Sequence, residues 1–264
     1  MLKKSKIVNP LNNVWETFIY TSNLLAVLPN IKFSIMKHLL SIFFVFSLIT
    51  LGCSQQEKSM SSHSGKNPTI KDYLKGKDYS AYEVATFAGG CFWCTEGSFE
   101  RINGVVDVIS GYSGGDKPHP TYQEIGRGTT RHAEAIQIYY DPQVISFEKL
   151  LDVLFVAHDP TQVDRQGNDV GPQYRSAVFY HNEEQKQKTD TAIKALNESG
   201  KWSNPVATEV SPYKEFWVAE EYHQNFYELN PNQPYVRAVS RKHVEKVKKE
   251  FKDILKEEYK KGKR

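Results

Sequence analysis

An α+β sandwich is the fold class this sequence predicts, and three observations predict it. Stretches that alternate like strands, "YEVATFA" and "HAEAIQIYYDP", stand apart from stretches with helical spacing, "FWCTEGSFERI" and "SFEKLLDVLFVAH". The two kinds alternate irregularly, unlike the regular repeat of a doubly wound sheet. A chain of 264 residues, 39% apolar and 12% aromatic, can bury one sizeable core, and no repeat or low-complexity run points to an array.

Met36-Lys37-His38 precede an apolar run, Leu39 to Leu51, and then Gly52-Cys53-Ser54. The run is short for a bilayer span, and a small residue stands before the cysteine. The stretch resembles a bacterial lipoprotein signal peptide, although Thr50 occupies the place where Leu is usual. The resemblance implies lipidation of Cys53 and a lipid-anchored protein on the extracytoplasmic side of a bacterial cell envelope. Residues 1–35 are then an upstream extension, Met36 the true start and 36–52 the signal. Residues 53–81, beginning with "SQQEKSMSSHSGKNPT" after Cys53, read as a flexible tether, and the folded domain is expected over 82–239.

Inside that domain "YEVATFA" predicts a first strand broken by Gly89-Gly90, so that Cys91 falls at a strand-to-helix turn. "GVVDVISGYSGG" reads as a strand leaving into a Gly-rich loop and "HAEAIQIYYDP" as another strand. Ser146 is the expected N-cap of the next helix, with Glu148 suiting its first turn. After the loop "DPTQVDRQGNDVGPQYR" come a strand "SAVFYH", a polar helix from Glu183 to Ser199 and a strand "VATEV". "AEEYHQNFYELNP" reads as a helix ending before Pro231. Residues 240–264 predict a basic amphipathic helix with Val244, Val247, Phe251, Ile254 and Leu255 on one face. From Arg241 onward eleven Lys/Arg face five Asp/Glu, so this tail carries +6 of a net +3. The total is too small to propose a nucleic-acid partner, while the tail's basic face is either solvated or suited to anionic lipid.

The chemistry centres on "GGCFWCTE", because Cys91 and Cys94 are two of only three cysteines. A thiol at a helix N-terminus meets unpaired N–H groups that favour the thiolate, and Cys94 lies on the same side of the first turn. Three readings fit the pair: a thioredoxin-like dithiol, half a zinc site, or a peroxide- or sulfoxide-reducing cysteine with a resolver. Zinc lacks two further ligands, since the chain has no second Cys-x-x-Cys and no His-x3-5-His pair. Phe92 and Trp93 between the cysteines are bulkier than a thioredoxin-like motif carries and suggest a pocket wall. An attack on oxidised sulfur needs an acid for the departing oxygen. Glu134 is placed for this if it points inward among Ala133, Ala135 and Ile136; the alternative is an edge-strand surface glutamate. Tyr122 in "HPTYQEI" and the group Asn168, Asp169, Gln173, Tyr174 and Arg175 offer polar atoms, or ordinary packing.

"GGCFWCTE", "PTYQEI", "TRHAEAIQIYYDP", "HDPTQVDRQGNDVGPQYRSAVFY" and "AEEYHQNFYELNP" are similar, in order and spacing, to the peptide methionine sulfoxide reductase A family. The resemblance covers roughly Tyr82 to Val236. It implies a two-layer α+β sandwich with a ferredoxin-like core and mixed sheet, acting on methionine-S-sulfoxide, free or in proteins; a monomer is expected, with the dithiol reset needing no cofactor or metal. By the same resemblance Cys91 attacks the sulfoxide sulfur, Glu134 protonates its oxygen, and Tyr122 and Tyr174 help hold it. Phe92 and Trp93 would pocket the S-methyl group, and Asp169 would bind substrate. The family commonly has Gly where this chain has Cys94 and resolving cysteines in a C-terminal tail. This tail carries none, so Cys94 is the expected resolver, reset by a thioredoxin-like reductant. The alternative is that Cys94 is a small core residue and an external thiol reduces the sulfenic acid directly. The family often has Gly where Arg131 stands as well. The rival enzyme reading is a general thiol–disulfide oxidoreductase using the same dithiol.

Overall fold

The computed structural model describes residues 66–262. The upstream extension, the signal, Cys53 and the tether as far as residue 65 lie outside the described residues.

Four strands and two helices build the core: β1 (Glu83–Gly89), α2 (Phe92–Phe99), β2 (Val105–Ser113), β3 (Ala133–Tyr140), α4 (Phe147–Ala157) and β6 (Ser176–Tyr180). β3 lies antiparallel between β1 and β2, and β6 lies antiparallel on the other side of β1. Because β1 and β2 both run against β3, they run parallel to each other, and only a crossover can connect them. That crossover is α2, and the resulting order β6-β1-β3-β2 is the ferredoxin-like arrangement. Two further strands complete the sheet: β7 (Glu209–Pro212) pairs parallel with β6, and β8 (Phe216–Val218) pairs antiparallel with β2. One parallel pair among antiparallel ones makes the sheet mixed, as expected.

The two faces of the sheet are covered differently. Phe87, Ile136, Ile138 and Val178 point into a core shared with Phe99 of α2 and with Leu150, Leu151 and Leu154 of α4. Ser146 caps α4 by accepting from Lys149 N at 3.2 Å, as its sequence predicts. The opposite face, with Ile109, Ala135, Tyr139, Phe179 and Phe216, packs against Ile70, Tyr73, Leu74, Tyr79 and Tyr82. β3 is therefore buried along its whole length.

This packing corrects the tether over 66–81. The short helix α1 (Ile70–Tyr73) is capped by Thr69, and Thr69 itself bridges to Trp217. Pro68 O accepts from Val218 N at 2.9 Å, Asn67 Nδ2 donates to Pro120 O at 2.8 Å, and the Tyr79 hydroxyl donates to Asp107. A handful of apolar side chains suffices because they cover a sheet face that would otherwise meet water.

Two expected helices are broken. "AEEYHQNFYELNP" forms a 3₁₀ turn (Glu221–His223) and the single-turn α6 (Phe226–Leu229), because Asn225 between them takes a left-handed φ of 54°. The C-terminal segment is a π-helical turn (Val236–Ser240), α7 (Arg241–Glu250), a 3₁₀ turn (Lys252–Ile254) and α8 (Glu257–Lys260). Val244 and Val247 are buried as the apolar face requires. The helix stops at Phe251 because the backbone beyond is drawn back onto the segment that follows α2: Leu255 bridges to Ile102, and Lys256 N donates to Arg101 O at 2.9 Å. There the buried Arg101 guanidinium lies 4.7 Å and 4.6 Å from the ring centroids of Tyr227 and Tyr259 and pairs with Glu228. The polar helix forms as α5 (Glu183–Glu198), and the strand expected at "VATEV" is shifted toward its C-terminal end, since pairing with β6 begins at Glu209.

Candidate active site

The site begins at the end of β1. Gly90 takes a φ of +86°, and a Cβ there would stand 2.7 Å from Cγ of Gln166, so the chain turns where only glycine fits. Gln166 is held in place through its carboxamide, which accepts from Asp159 N at 3.1 Å and donates to Asp159 O at 2.9 Å. Past this turn Cys91 is the N-cap of α2, and its side chain makes no capping bond, which leaves the sulfur free for other partners.

The first unpaired N–H of α2, that of Phe92, donates to Glu134 Oε2 at 3.1 Å. Glu134 sits on β3 opposite Tyr112 and is 2% exposed, so of the two sequence alternatives the inward orientation holds. Burial drives its carboxyl up to about 8, against the pull of the Phe92 N–H. At neutral pH it carries a proton beside the cysteine, as an acid for a departing oxygen must.

Cys91 corrects one expectation. Burial pushes its thiol well above the usual range, the Cys94 sulfur and Glu134 add to this, and a hydrogen bond from Tyr235 only partly opposes it. The helix terminus does not give a resting thiolate here, because taking the sulfur out of water costs the charged form more than the terminus returns. Cys94, on the same turn, is also buried, and both cysteines are free thiols.

Aromatic rings form the floor and wall. Phe92 is 1% exposed, and its ring centroid lies 6.4 Å from that of Tyr122, nearly parallel, and 4.9 Å from His223. Trp93 is half-buried and stacks on Phe226 at 3.7 Å and 9°, while its indole N–H donates to His223 Nδ1 at 3.1 Å. Burial lowers His223 to about 4, which keeps it neutral and able to accept that bond. Tyr122 opens the short helix α3 (Tyr122–Gly126), held by a capping box between Thr121 and Glu124. Its backbone N–H donates to Glu220 Oε1 at 2.9 Å, and the other oxygen of Glu220 accepts from the Tyr112 hydroxyl at 2.8 Å.

Tyr174 ends a 3₁₀ turn (Pro172–Tyr174) after the two-residue strands β4 (Arg165–Gln166) and β5 (Asp169–Val170). Tyr122 and Tyr174 are raised by burial first, and both then feel Glu134, Cys91 and Asp169, which places their hydroxyls in the field of the same site. Asp169 accepts from the Tyr235 hydroxyl, and the Tyr235 ring stands edge-on to Trp93 at 5.7 Å.

The structure thus gathers Cys91, Phe92, Trp93, Cys94, Tyr122, Glu134, Asp169 and Tyr174 into one place. Of the other grouped residues, Arg175 instead bonds Glu209 at 2.9 Å, and Asn168 is exposed in the β4–β5 turn. Sequence reasoning missed Tyr235, His223, Phe226 and Glu220. The helical reading of residues 219–231 hid the left-handed turn at Asn225 between His223 and Phe226, and Tyr235 lies beyond that stretch, at the start of the π-helical turn.

A family model described as peptide methionine sulfoxide reductase matches residues 83–255. Peptide methionine sulfoxide reductase MsrA of Thermus thermophilus is 47% identical over 173 residues, which cover 66% of this chain and 97% of that one. MsrA 1 of Rhodopirellula baltica is 48% identical over 189 residues, covering 72% and 97%. Among solved structures, reduced Mxr1 of Saccharomyces cerevisiae is 37% identical with a TM-score of 0.54, over 59% of this chain and 89% of that one. Methionine sulfoxide reductase A of Corynebacterium diphtheriae is 34% identical with a TM-score of 0.52, over 57% and 76%.

Proposed function

The chain belongs to the family of peptide methionine sulfoxide reductases and is an enzyme of that class, and from that premise we propose a two-thiol catalytic cycle for it. The S-methyl group of methionine-S-sulfoxide, free or in a protein, rests against Phe92 and Trp93, with Asp169 and the tyrosine hydroxyls of Tyr122 and Tyr174 around the oxygen. The Cys91 sulfur attacks the sulfoxide sulfur. Glu134 delivers a proton to the oxygen and recovers one from the thiol, so its own state is unchanged. The oxygen passes to Cys91 as a sulfenic acid while the substrate sulfur gains two electrons and leaves as methionine. Cys94 then attacks the sulfenic sulfur, water leaves, and a Cys91–Cys94 disulfide remains for a thioredoxin-like dithiol to reduce.

The observation that carries this reading is the buried Glu134 on the Phe92 N–H at 3.1 Å, one residue from Cys91, its carboxyl raised by burial. The sulfoxide oxygen needs a proton in order to leave, and Glu134 is placed to give it. The test is Cys94→Ser. With thioredoxin as sole reductant the variant is expected to release one methionine per enzyme and then stall, and full multiple turnover would remove Cys94 as resolver.

The same reading extends to protein repair at the bacterial cell envelope, with Cys53 carrying a lipid anchor. Its motivation is the signal-like sequence from Met36 to Cys53. In a bacterial host a palmitate analogue is expected to label the full chain and not Cys53→Ser; equal labelling of both would discard the anchor.

A further inference from the structure

We propose that Ser240 positions the resolving thiol, its buried hydroxyl holding Cys94 in place and steadying the charge on its sulfur during attack on the Cys91 sulfenic acid. The proposal rests on the two-thiol cycle above and deepens its second step.

Cys94 Sγ donates to Ser240 Oγ at 3.3 Å, across 146 positions of sequence. Cys94 is 5% exposed and Ser240 fully buried, so bulk water does not compete for either atom. Serine is a poor filler for a buried helical position, because its hydroxyl must find a partner or leave a polar group stranded. Here the partner is a sulfur with a part in the reaction.

The local backbone explains how the hydroxyl arrives there. Ser240 closes the π-helical turn Val236–Ser240, and Tyr235 immediately precedes it. Such single turns re-aim side chains that a regular helix would carry past each other. One short segment therefore brings the Tyr235 ring to Trp93 and its hydroxyl to Asp169, and the Ser240 hydroxyl to Cys94.

The chemistry of the step asks for a group of this kind. An S–S bond forms between Cys94 and Cys91, the S–O bond of the sulfenic acid breaks, and the Cys94 proton leaves with the hydroxyl as water. No external reductant enters. Through the step the Cys94 sulfur changes from a donor to an acceptor. A hydroxyl can accept from the thiol and, by rotating, donate to the sulfur as its proton departs; an alanine methyl can do neither. Hydrogen bonds to charged groups are stronger than neutral ones, so the benefit is largest as charge develops.

The test is a quenched single turnover of the fully reduced full-length chain and of Ser240→Ala with one equivalent of a methionine-S-sulfoxide peptide. Methionine release, free-thiol loss and sulfenic acid captured by a dimedone-type trap are followed together. In S240A the ratio of disulfide closure rate to methionine release rate is expected to fall about tenfold, with a matching rise in trapped sulfenic acid. An unchanged ratio overturns the proposal, whether both rates stay the same or fall together, since a purely structural role would slow both. If the unsubstituted chain releases no methionine, the sulfoxide cycle itself fails and takes this inference with it.

Discussion

Replacing Glu134 with glutamine is expected to slow methionine release by about 10²–10⁴-fold, the usual worth of a positioned general acid. Glutamine fills nearly the same volume and its carbonyl can still accept from the Phe92 N–H, which now meets Glu134 Oε2 at 3.1 Å. What it lacks is a transferable proton. The unsubstituted enzyme should lose activity as pH rises through about 8, where Glu134 gives up that proton. E134Q should show a low rate without that falling limb. A single-turnover pH profile decides the matter, and a variant with an unchanged profile removes Glu134 as the acid.

The same substitution has a stability signature. The Glu134 carboxyl is raised from 4.5 to about 8 in the folded chain, so between those values the folded state keeps a proton that the unfolded state releases. The stability this confers is complete below the unfolded value and is lost as pH rises through the folded one. Glutamine cannot titrate, so the decline between pH 5 and 9 should be shallower in E134Q. It should not vanish, because Glu96 is likewise buried and raised to about 8.

Cys91→Ser is expected to abolish methionine release altogether. A serine hydroxyl is a far weaker nucleophile than a thiol, and serine cannot accept the oxygen as a stable, thiol-reducible species. Cys94 is not expected to substitute for it, because its sulfur is buried within α2 and bonded to Ser240 rather than standing at the N-cap beside the Phe92 N–H. Measurable turnover in C91S with an intact fold would place the nucleophile elsewhere.

Much of this was legible in the sequence because local chemistry dictates it. Gly89-Gly90 before a helical period marks the strand-to-helix turn, and the structure needs glycine there, where a Cβ at Gly90 would meet Gln166. Ser146 announced α4 by capping chemistry alone. Glu134 could be placed on a strand by pattern, but its direction depended on β1 and β2 flanking β3, which no local window contains.

The misses have the same character. Asparagine turns left-handed more readily than most residues, but nothing in its neighbourhood marks Asn225 for it; its backbone N–H bonds Glu96 Oε1 at 3.0 Å, a partner 129 positions away. Tyr235 and Ser240 owe their place to a π-helical turn, which has no sequence rule. Arg131 runs the other way: the family often has Gly at this position, and the residue indeed adopts a φ of 58°, so this chain keeps the glycine conformation without glycine. The resting state of Cys91 was misjudged because the helix terminus is visible in sequence whereas the burial that outweighs it is not.

The most direct test of the cycle is one turnover of the reduced protein from Ser54 onward with the separate S and R epimers of N-acetyl-methionine sulfoxide, counting methionine and free thiols together. One methionine from the S epimer alone, with two thiols lost, is the predicted result. Intact, reactive thiols that consume neither epimer would contradict it and favour a general dithiol exchanger.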